Sequence, residues 1–404
     1  MQIHIDSIKN ASKELFGNIV RTPTIRSQYL SSELNAEVFL KLENLQYTSS
    51  FKVRGAYVSI KRLKEKQKRM GVIAMSAGNH AQAVAWWAKK ERVKATIVMP
   101  EHAPLSKVMK TKSLGAEVIL KGRTLNESQT FVSELVNEKK LTLIHPYDDP
   151  NVVIGQGTLG LEIMQDIEKL DVLVVPIGGG GLISGISIVA KALNPKIEIY
   201  GVQTEKFPSM YNILHKKNMK ILGDTLADGI AVKTPGKITS EIIKENVNGI
   251  LLIDEFELEK AISSLFENER VVAEGAGAAG IAAMFKNQDM FSGKRVGTVI
   301  CGGNIDARLF ASILNRKLLM DGRMAKVRID IIDEPGMLAR ISNLIANYGG
   351  NIIEIYHQRM FNDVPVKNAK IDAIIEALSV DHIASIIKAL REDGFRVSEI
   401  MEKS

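Results

Sequence analysis

The sequence predicts an α/β fold with mainly parallel sheets over most of its length. Short runs rich in Val, Ile and Leu recur along the chain, and several are continuous, which is typical of strands covered by helices on both faces. Longer amphipathic segments separate these runs and predict helices between the strands. The 404 residues are 45% apolar and 25% charged, so the composition is that of globular domains and excludes wholesale disorder.

The predicted elements alternate regularly before the texture of the chain changes near Asp321. Strands are predicted at residues 37–42, 72–75, 95–99, 117–120, 172–177, 197–202 and 296–301. The clearest helices are predicted at residues 52–66, 81–90 and 257–270. We place a domain boundary at about residues 321–325.

The residues after this boundary have a compact pattern of their own. Strands are predicted at 326–332, 351–360, 367–375 and 395–401, helices at 337–348 and 380–392, and turns at 333–336 and 362–363. The resulting order βαββαβ is the ferredoxin-like arrangement.

Composition also restricts the partners and the compartment. The 53 basic and 46 acidic residues give a net charge of +7 without a long basic run, so we expect no nucleic-acid partner. One cysteine excludes an internal disulfide framework and multi-cysteine metal sites, and we predict no metal ligands. The first residues have no basic segment before an apolar core, so we expect no secretory signal and a cytoplasmic protein.

One uncharged stretch, residues 172–190, nearly reaches the length of a membrane span. It contains Pro176 and four consecutive glycines. A strand, a glycine turn and a helix explain it better, so we expect no membrane partner.

Lys52 stands at the start of a predicted helix, within the segment Ser49 to Ala56. The positive end of the helix dipole disfavours a charged ammonium at this position and lowers its pKa. A partly neutral amine can attack a carbonyl and form a Schiff base. From these residues alone, a surface lysine on a helix is the simpler interpretation.

The turn after strand 72–75 is a candidate anion site. Small residues there allow backbone N–H groups at a helix N-terminus to face a carboxylate or a phosphate. A plain capped turn is the alternative, and a histidine in such a turn more often satisfies a local hydrogen bond. The turn consists of Ser76, Ala77, Gly78, Asn79 and His80.

The turn after strand 172–177 is rich in glycine. Four consecutive glycines cost backbone entropy, but they let several N–H groups approach one phosphate ahead of a helix. The spacing does not match the dinucleotide motif G-x-G-x-x-G, so we predict a monophosphate cradle, with a structural turn as the alternative. The segment runs Gly178, Gly179, Gly180, Gly181 and Leu182.

Residues 275–280 do match G-x-G-x-x-G, but they follow a helical pattern and not a strand. We therefore predict close packing of small residues there, with Glu274 facing the cleft.

Cys301 ends strand 296–301, at the sheet edge where open α/β sheets bind ligands. Its thiol, with an ordinary pKa of about 8.5, can offer a weak hydrogen bond. An inert buried cysteine is the alternative.

Together these motifs occur in an order and at separations that resemble those of the threonine dehydratases (threonine ammonia-lyases), which are pyridoxal-phosphate enzymes of the tryptophan-synthase-β fold type. The resemblance covers about residues 5–320. Residues 333–338 and 349–351 resemble parts of an ACT domain. The resemblance implies two open, mainly parallel sheets (fold type II) in a catalytic domain at 1–320, a nested subdomain at about 46–145, and an ACT domain at 325–404.

The resemblance also implies roles for individual residues. Lys52, next to Phe51, forms the Schiff base with pyridoxal phosphate, Asn79 hydrogen-bonds the phenolic oxygen, and Cys301 meets the pyridine nitrogen, where many relatives have Ser. The backbone of Gly178, Gly179, Gly180, Gly181 and Leu182 holds the phosphate. The substrate carboxylate meets Ser76, Ala77, Gly78, Asn79 and His80, with Gly229 nearby. The sequence departs from its relatives at Ser49, where Gly is frequent.

The activity that the resemblance implies is deamination of L-threonine to 2-oxobutanoate and ammonia by β-elimination of water, with L-serine as a second substrate giving pyruvate. The alternative is a serine racemase or another pyridoxal-phosphate enzyme of the same fold that eliminates or replaces a β-substituent. Serine racemases carry Ser where this chain has Ala77, which has no proton to give. A non-enzymatic amino-acid sensor is disfavoured by the intact Lys52.

For the C-terminal segment, the resemblance implies that an amino-acid effector binds between paired ACT domains and changes the catalytic activity, which is allosteric control. An assembly module without a ligand is the alternative. The exposed edges of a four-stranded sheet need pairing in either case, which favours a homodimer or a homotetramer.

Overall fold

The computed structural model describes residues 3–123, 125–359 and 367–400. The chain forms two compact units, Met1–Ile305 and Asp306–Ser404. The division falls before the boundary expected at 321–325, because the helix at Ala307–Met320 packs on the first strand of the C-terminal unit, Met324–Ile332.

The first unit is built from alternating strands and helices. Its strands are β1 Thr24–Ser27, β2 Glu37–Lys41, β3 Val72–Met75, β4 Ala95–Met99, β5 Glu117–Leu120, β6 Thr142–Leu143, β7 Val172–Pro176, β8 Glu198–Thr204, β9 Gly249–Ile253 and β10 Arg295–Val299. Its helices are α1 Ile5–Leu15, α2 Gln28–Glu33, α3 Lys52–Lys61, α4 Glu65–Met70, α5 Asn79–Lys90, α6 Leu105–Ser113, α7 Leu125–Lys139, α8 Pro150–Asp166, α9 Gly181–Leu193, α10 Ser209–His215, α11 Lys237–Asn246, α12 Glu255–Glu269, α13 Gly275–Lys286 and α14 Gln288–Phe291. Short 3-10 turns lie at Glu43–Leu45, Tyr47–Ser49 and Asp228–Ile230.

The larger sheet has the strand order β1-β2-β10-β7-β8-β9, and only β1 runs antiparallel to its neighbour. Its central strand β7 is buried along its whole length. This explains the continuous apolar run in the sequence, because both faces of the strand are covered.

The smaller sheet has the order β5-β4-β3-β6 and is parallel throughout. Its strands all lie within the range 46–145. The first unit therefore contains two mainly parallel sheets, as expected for this fold class. The loops after β3, β6, β7 and β10 carry several residues of the candidate site, and Lys52 begins α3.

Close helix packing fixes the start of α3. A Cβ on Gly155 of α8 would lie 2.6 Å from the carbonyl oxygen of Arg54 in α3. A Cβ on Gly185 of α9 would collide with the backbone of Gly157 in α8. Glycine at these positions lets α8 approach both neighbours, and so positions α3 against α8.

The C-terminal unit contains an antiparallel sheet of the order β12-β13-β11-β14. Its elements are α15 Ala307–Met320, β11 Met324–Ile332, α16 Met337–Asn347, β12 Asn351–Gln358, β13 Asn368–Glu376, α17 Val380–Glu392 and β14 Arg396–Glu399. Alternate residues such as Val327 and Ile329 of β11 join Ile341 of α16 and Leu390 of α17 in one core. The predicted order βαββαβ is thus found after α15.

The predicted strands of the first unit are found with ends that differ by at most two residues. The predicted helix 52–66 is wrong beyond Lys61: Lys64 is extended, and its N–H donates to the Gln67 side chain to cap α4. Strands β1, β6 and β9 were not predicted. The predicted turn at 362–363 and the strand ends at 360 and 401 lie outside the described residues.

Among the described residues, no helix combines the length and the apolar character that crossing a bilayer requires. The uncharged stretch 172–190 forms β7, the glycine turn and most of α9, as expected.

Candidate active site

Lys52 is the first residue of α3, and the start of this helix is fixed to the end of β10. The Phe51 N–H donates to the carbonyl oxygen of Cys301 over 3.1 Å, and Ser50 forms an antiparallel bridge with Gly302. The Lys52 ammonium donates to the carbonyl oxygen of Pro146 over 2.8 Å. The structure therefore brings Lys52, Phe51 and Cys301 together at the carboxyl edge of the larger sheet, where the sequence placed Cys301.

The turn before Lys52 has an unusual backbone. Thr48 and Ser49 have φ angles of 58° and 56°, in the left-handed region that favours glycine. Ser49 is the position where relatives often have Gly. The Ser49 carbonyl accepts a hydrogen bond from the Gly303 N–H over 3.0 Å, which holds this turn against the loop after β10.

Burial controls the charges of the two reactive side chains in this region. It lowers the pKa of Lys52 to about 8, although Cys301 and Glu274 partly oppose the shift. Burial raises the pKa of Cys301 well above its usual value, and Glu274 adds to this shift. Near neutral pH the thiol is neutral, and a tenth or so of the Lys52 amine is uncharged.

The four glycines form a tight turn between β7 and α9, and side chains would not fit there. A Cβ on Gly178 would lie 3.1 Å from the carbonyl oxygen of Gly229, and one on Gly180 would lie 2.8 Å from Thr239 Cβ. Gly180 also has a φ of 96°. The first N–H groups of α9, from Gly181 and Leu182, have no partners within the helix and suit an anion.

Tyr147 packs against this turn, and no sequence motif predicted it as part of the site. Its ring lies where a Cβ on Gly179 would project, and its backbone lies 3.1 Å from a Cβ on Gly181. Its hydroxyl donates to the carbonyl oxygen of Thr234 over 2.8 Å. Because Pro146 contacts Lys52, this segment connects the lysine to the glycine turn.

The loop Ser76–His80 joins β3 to α5. The Ser76 hydroxyl accepts from the Gly78 N–H over 3.2 Å, so the loop turns back on itself next to Ala77 before the helix begins. The side chain of His80 is buried, and its Nε2 hydrogen-bonds the carbonyl oxygen of Ile144 over 2.8 Å. Burial and the nearby Lys52 lower the pKa of His80 to about 3, so the imidazole is neutral. A local hydrogen bond, one of the two alternatives, is what its side chain makes.

Asn79 and Glu274 meet across the site. The Asn79 Nδ2 donates to Glu274 Oε1 over 2.6 Å. A Cβ on Gly229 would lie 3.6 Å from the same oxygen, so the 3-10 turn at Asp228–Ile230 borders this pair. Burial raises the pKa of Glu274 to about 7, Asp228 adds to the shift, and Asn79 opposes it. The expectation that Glu274 faces the cleft agrees with this geometry.

The segment matching G-x-G-x-x-G forms the first turns of α13 and packs tightly. Cβ atoms on Gly275 and Gly277 would collide with the carbonyl oxygens of Leu226 and Gly302. The glycines therefore serve close packing, as predicted.

These residues fit pyridoxal phosphate by their chemistry. An amine with a pKa near 8 can react with an aldehyde, and N–H groups at a helix N-terminus can hold a phosphate. The glycine turn forms a cradle that any side chain would fill. The neutral thiol of Cys301 can donate a hydrogen bond to a ring nitrogen without transferring full charge.

Comparisons with known proteins agree with this chemistry. The family described as pyridoxal-phosphate dependent enzyme matches residues 15–302. An L-threonine ammonia-lyase from Thermotoga maritima is 43% identical over 397 residues, which cover 98% of this chain and 99% of that protein.

Two solved structures share the fold. The serine racemase from Dictyostelium discoideum has a TM-score of 0.71 at 36% identity, covering 75% of this chain and 99% of that one. The processed form of threonine deaminase isoform 2 from Solanum lycopersicum has a TM-score of 0.72 at 31% identity, covering 78% and 89%. This chain is therefore an enzyme that uses pyridoxal phosphate, and it belongs to the pyridoxal-phosphate-dependent enzyme family.

Proposed function

We propose that this enzyme deaminates L-threonine to 2-oxobutanoate and ammonia by β-elimination of water, and that it also converts L-serine to pyruvate. The observation that carries the proposal is the Lys52 amine, whose pKa is lowered to about 8 between the glycine turn and Cys301. The Thermotoga maritima relative, matched over nearly the whole chain, supports the choice of threonine.

Lys52 supplies the base in this proposal. Its neutral amine takes the proton from the α-carbon of the substrate, and the pKa near 8 keeps a useful neutral fraction at physiological pH. The Pro146 carbonyl, 2.8 Å from Nζ, orients the amine beside the glycine turn. Pyridoxal phosphate, when bound, supplies an electron sink for the pair left by the departing proton.

The remaining residues orient the reactants. The backbone of Gly178 to Leu182 would hold the phosphate, and Asn79 and Cys301 would form hydrogen bonds with the ring of the cofactor. The N–H groups at the start of α5, after Ala77 and Gly78, receive the substrate carboxylate. Since the Cys301 thiol stays neutral, it would hold the ring nitrogen of the cofactor by a hydrogen bond without transferring a full charge, which favours loss of the β-hydroxyl.

Racemisation of serine is the second candidate, because the Dictyostelium discoideum structure with that title is 36% identical to this chain. Racemisation needs an acid on the face opposite Lys52 to return a proton to the α-carbon. Ala77 occupies the position that resemblance assigns to this acid, and a methyl group cannot donate a proton. We therefore expect elimination to dominate.

The deciding experiment incubates the enzyme loaded with pyridoxal phosphate with L-threonine and L-serine, and measures 2-oxo acids, ammonia and D-amino acids. We expect 2-oxobutanoate and pyruvate with little D-serine. Lys52→Ala should lose all turnover and the mass tag left by borohydride reduction. Lys61→Ala, at the other end of α3, is the matched control and should retain both. Mostly D-serine, or full activity without Lys52, would overturn the proposal.

We assign the C-terminal unit to an ACT domain that binds an amino-acid effector and pairs with a second copy. The order βαββαβ supports the fold assignment, and the edge strand β12, with Tyr356 half exposed, supports pairing. The test measures threonine deamination by the full chain with isoleucine, valine or AMP added in turn, and the mass of the particle by sedimentation. If no amino acid binds or alters the kinetics, the unit is an assembly module; a monomeric particle refutes pairing.

A further inference from the structure

Four side chains form a continuous chain of hydrogen bonds from the surface to the buried Glu274. Lys110 on α6 donates to Asn304 Oδ1 over 2.6 Å. Asn304 Nδ2 donates to Asn79 Oδ1 over 2.7 Å, and Asn79 Nδ2 donates to Glu274 Oε1 over 2.6 Å. Lys110 is exposed, both asparagines are half-buried and Glu274 is buried. These residues come from separate parts of the first unit, so the chain of bonds exists only in the folded unit.

The residues at the two ends of this hydrogen-bond chain determine which atoms donate and which accept along it. A lysine ammonium can only donate, so the Asn304 atom that faces Lys110 must be the oxygen. The Asn304 Nδ2 group also donates to the carbonyl oxygen of Thr48 over 2.8 Å, so both of its hydrogens are used. At the other end an ionised Glu274 can only accept. The amide of Asn304 is therefore fixed in one of its two orientations.

The orientation of Asn304 determines that of Asn79. The Asn79 oxygen is taken by Asn304, and one hydrogen of its Nδ2 group is taken by Glu274. One N–H of Asn79 remains for another partner. If the amide were reversed, its oxygen would face Glu274, and two acceptors would be in contact.

We propose that Asn304, held by Lys110 and the Thr48 carbonyl, is a positioning residue that fixes Asn79 as a hydrogen-bond donor toward the cofactor. This inference rests on the assignment of Asn79 to the phenolic oxygen, which is part of the proposed function. A donor at that oxygen stabilises its anionic form and so affects both the affinity and the visible absorption of bound pyridoxal phosphate.

An ion pair also holds α6 near the site. Lys107 of α6 forms an ion pair with Asp228 over 2.5 Å, one residue before Gly229. Together the two lysines connect α6 with two loops that border Glu274. Lys107 also opposes the upward shift in the pKa of Glu274, so the acceptor end of the chain is charged more readily than burial alone allows.

The test compares purified wild-type enzyme with Asn304→Asp and Asn304→Ala. Aspartate has nearly the shape of asparagine but cannot donate, so Asn79 must turn its N–H groups toward it and present its oxygen to the site. Alanine at position 304 removes the hydrogen bond to Asn79 without forcing the Asn79 amide to turn over. The measurements are the dissociation constant of pyridoxal phosphate and the visible absorption maximum of the loaded enzyme, neither of which needs turnover.

We expect Asn304→Asp to weaken cofactor binding about tenfold, the loss typical of one reversed buried hydrogen bond, and to move the absorption maximum. Asn304→Ala should have a clearly smaller effect on both. Asn35→Asp makes the same chemical change at an exposed asparagine and should match wild type. If Asn304→Asp matches wild type, or if aspartate and alanine act alike, the proposal is wrong.

Lys110 gives an independent test if Asn304→Asp fails to fold or to bind the cofactor. In Lys110→Glu the new carboxylate, an acceptor, lies next to the Asn304 oxygen, but the carbonyl of Thr48 still accepts from the Asn304 amide. We therefore expect the affinity for pyridoxal phosphate to fall about threefold and the absorption maximum to shift. Lys110→Arg keeps a pure donor and should match wild type. Lys112→Glu, on the same helix, has the same change in charge and should also match wild type. Equal behaviour of the two glutamate variants would overturn the proposal.

These measurements separate the inference from the proposed activity. An enzyme that binds pyridoxal phosphate but does not deaminate threonine would refute the proposed function and leave the spectral test intact. An enzyme that deaminates threonine with unchanged spectra in all variants would refute the positioning role alone.

Discussion

Arg54 lies two residues after Lys52 and carries the ion pairs that hold α3 in place. Its guanidinium donates to both oxygens of Glu43 over 2.8 Å, and to the two oxygens of Glu162 over 2.7 and 3.0 Å. Arg54 and Glu43 are both fully buried. Lys41, also buried, binds Glu162 over 2.8 Å. Arg54→Met keeps much of the volume of this side chain and removes its charge.

The magnitude follows from what Met leaves behind. Glu162 keeps Lys41, but Glu43 keeps only the Thr22 hydroxyl, at 2.5 Å, and becomes a buried carboxylate without a cation within the network. Removing one partner of a buried ion pair costs about 3–5 kcal/mol. A unit of about 300 residues has an unfolding entropy of about 0.6 kcal/mol per degree, so we expect the melting temperature to fall by about 5–8 °C.

The assay is thermal unfolding at pH 7.5, followed by circular dichroism, on a double-mutant cycle. Glu43→Gln in the Arg54→Met background removes the stranded charge and should recover a large part of the lost stability. Arg62→Met is the matched control, because its pair with Glu14 spans 3.5 Å at the surface and is worth less than about 1 kcal/mol. A loss no larger than that of the control, or a double variant as unstable as the single one, would refute the reasoning.

Two further predictions concern the cofactor. Because only the neutral amine of Lys52 attacks an aldehyde, the rate at which the cofactor-free protein takes up pyridoxal phosphate should rise with pH, with a midpoint of about 8, and then level off. Stopped-flow absorbance measures this rate, and a midpoint near 10.5, the ordinary pKa of a lysine, would contradict the lowered pKa. Gly180→Ala should weaken cofactor binding at least tenfold, because the new methyl would lie 2.8 Å from Thr239 Cβ at a φ of 96°. Gly17→Ala, at a φ of 75° with nothing within 4 Å of the methyl, carries similar backbone strain without the crowding; equal cofactor affinity in the two variants would rule out the crowding.

Much of the fold could be predicted because its buried strands leave a strong local signal. β7 is apolar at every position and ends at a glycine turn, so its existence and its limits follow from the sequence alone. β6 shows the opposite case. It has two residues, Thr142 and Leu143, and exists only through its pairing with Val72 and Ile73. No local pattern specifies such a strand, because its partner supplies the structure.

The missed strand explains a missed part of the site. The loop after β6 brings Pro146 to Lys52 and Tyr147 to the glycine turn. Without β6, nothing in the sequence indicates that this loop follows a strand at the carboxyl edge of a sheet. By contrast, the loops after β3, β7 and β10 follow strong strand signals, and most residues proposed from the sequence lie there; Phe51 and Lys52, at the start of α3, and Gly229 do not. The order of the motifs carried information that no single motif contained.

For Glu274, the sequence motif predicts the location of the side chain, but its contacts and its protonation depend on the fold. The small residues after it mark close packing, and their glycines do press the start of α13 against the loop after Cys301. Packing of this kind delivers the side chain of Glu274 to Asn79, which is 195 residues away in sequence. Whether that carboxyl is charged depends mainly on burial, which raises its pKa to about 7; Asp228 adds to this shift, whereas Asn79 and Lys107 oppose it. The sequence therefore identifies the residue and its location, whereas its protonation, and with it the direction of the hydrogen bonds that end on it, is a property of the folded unit.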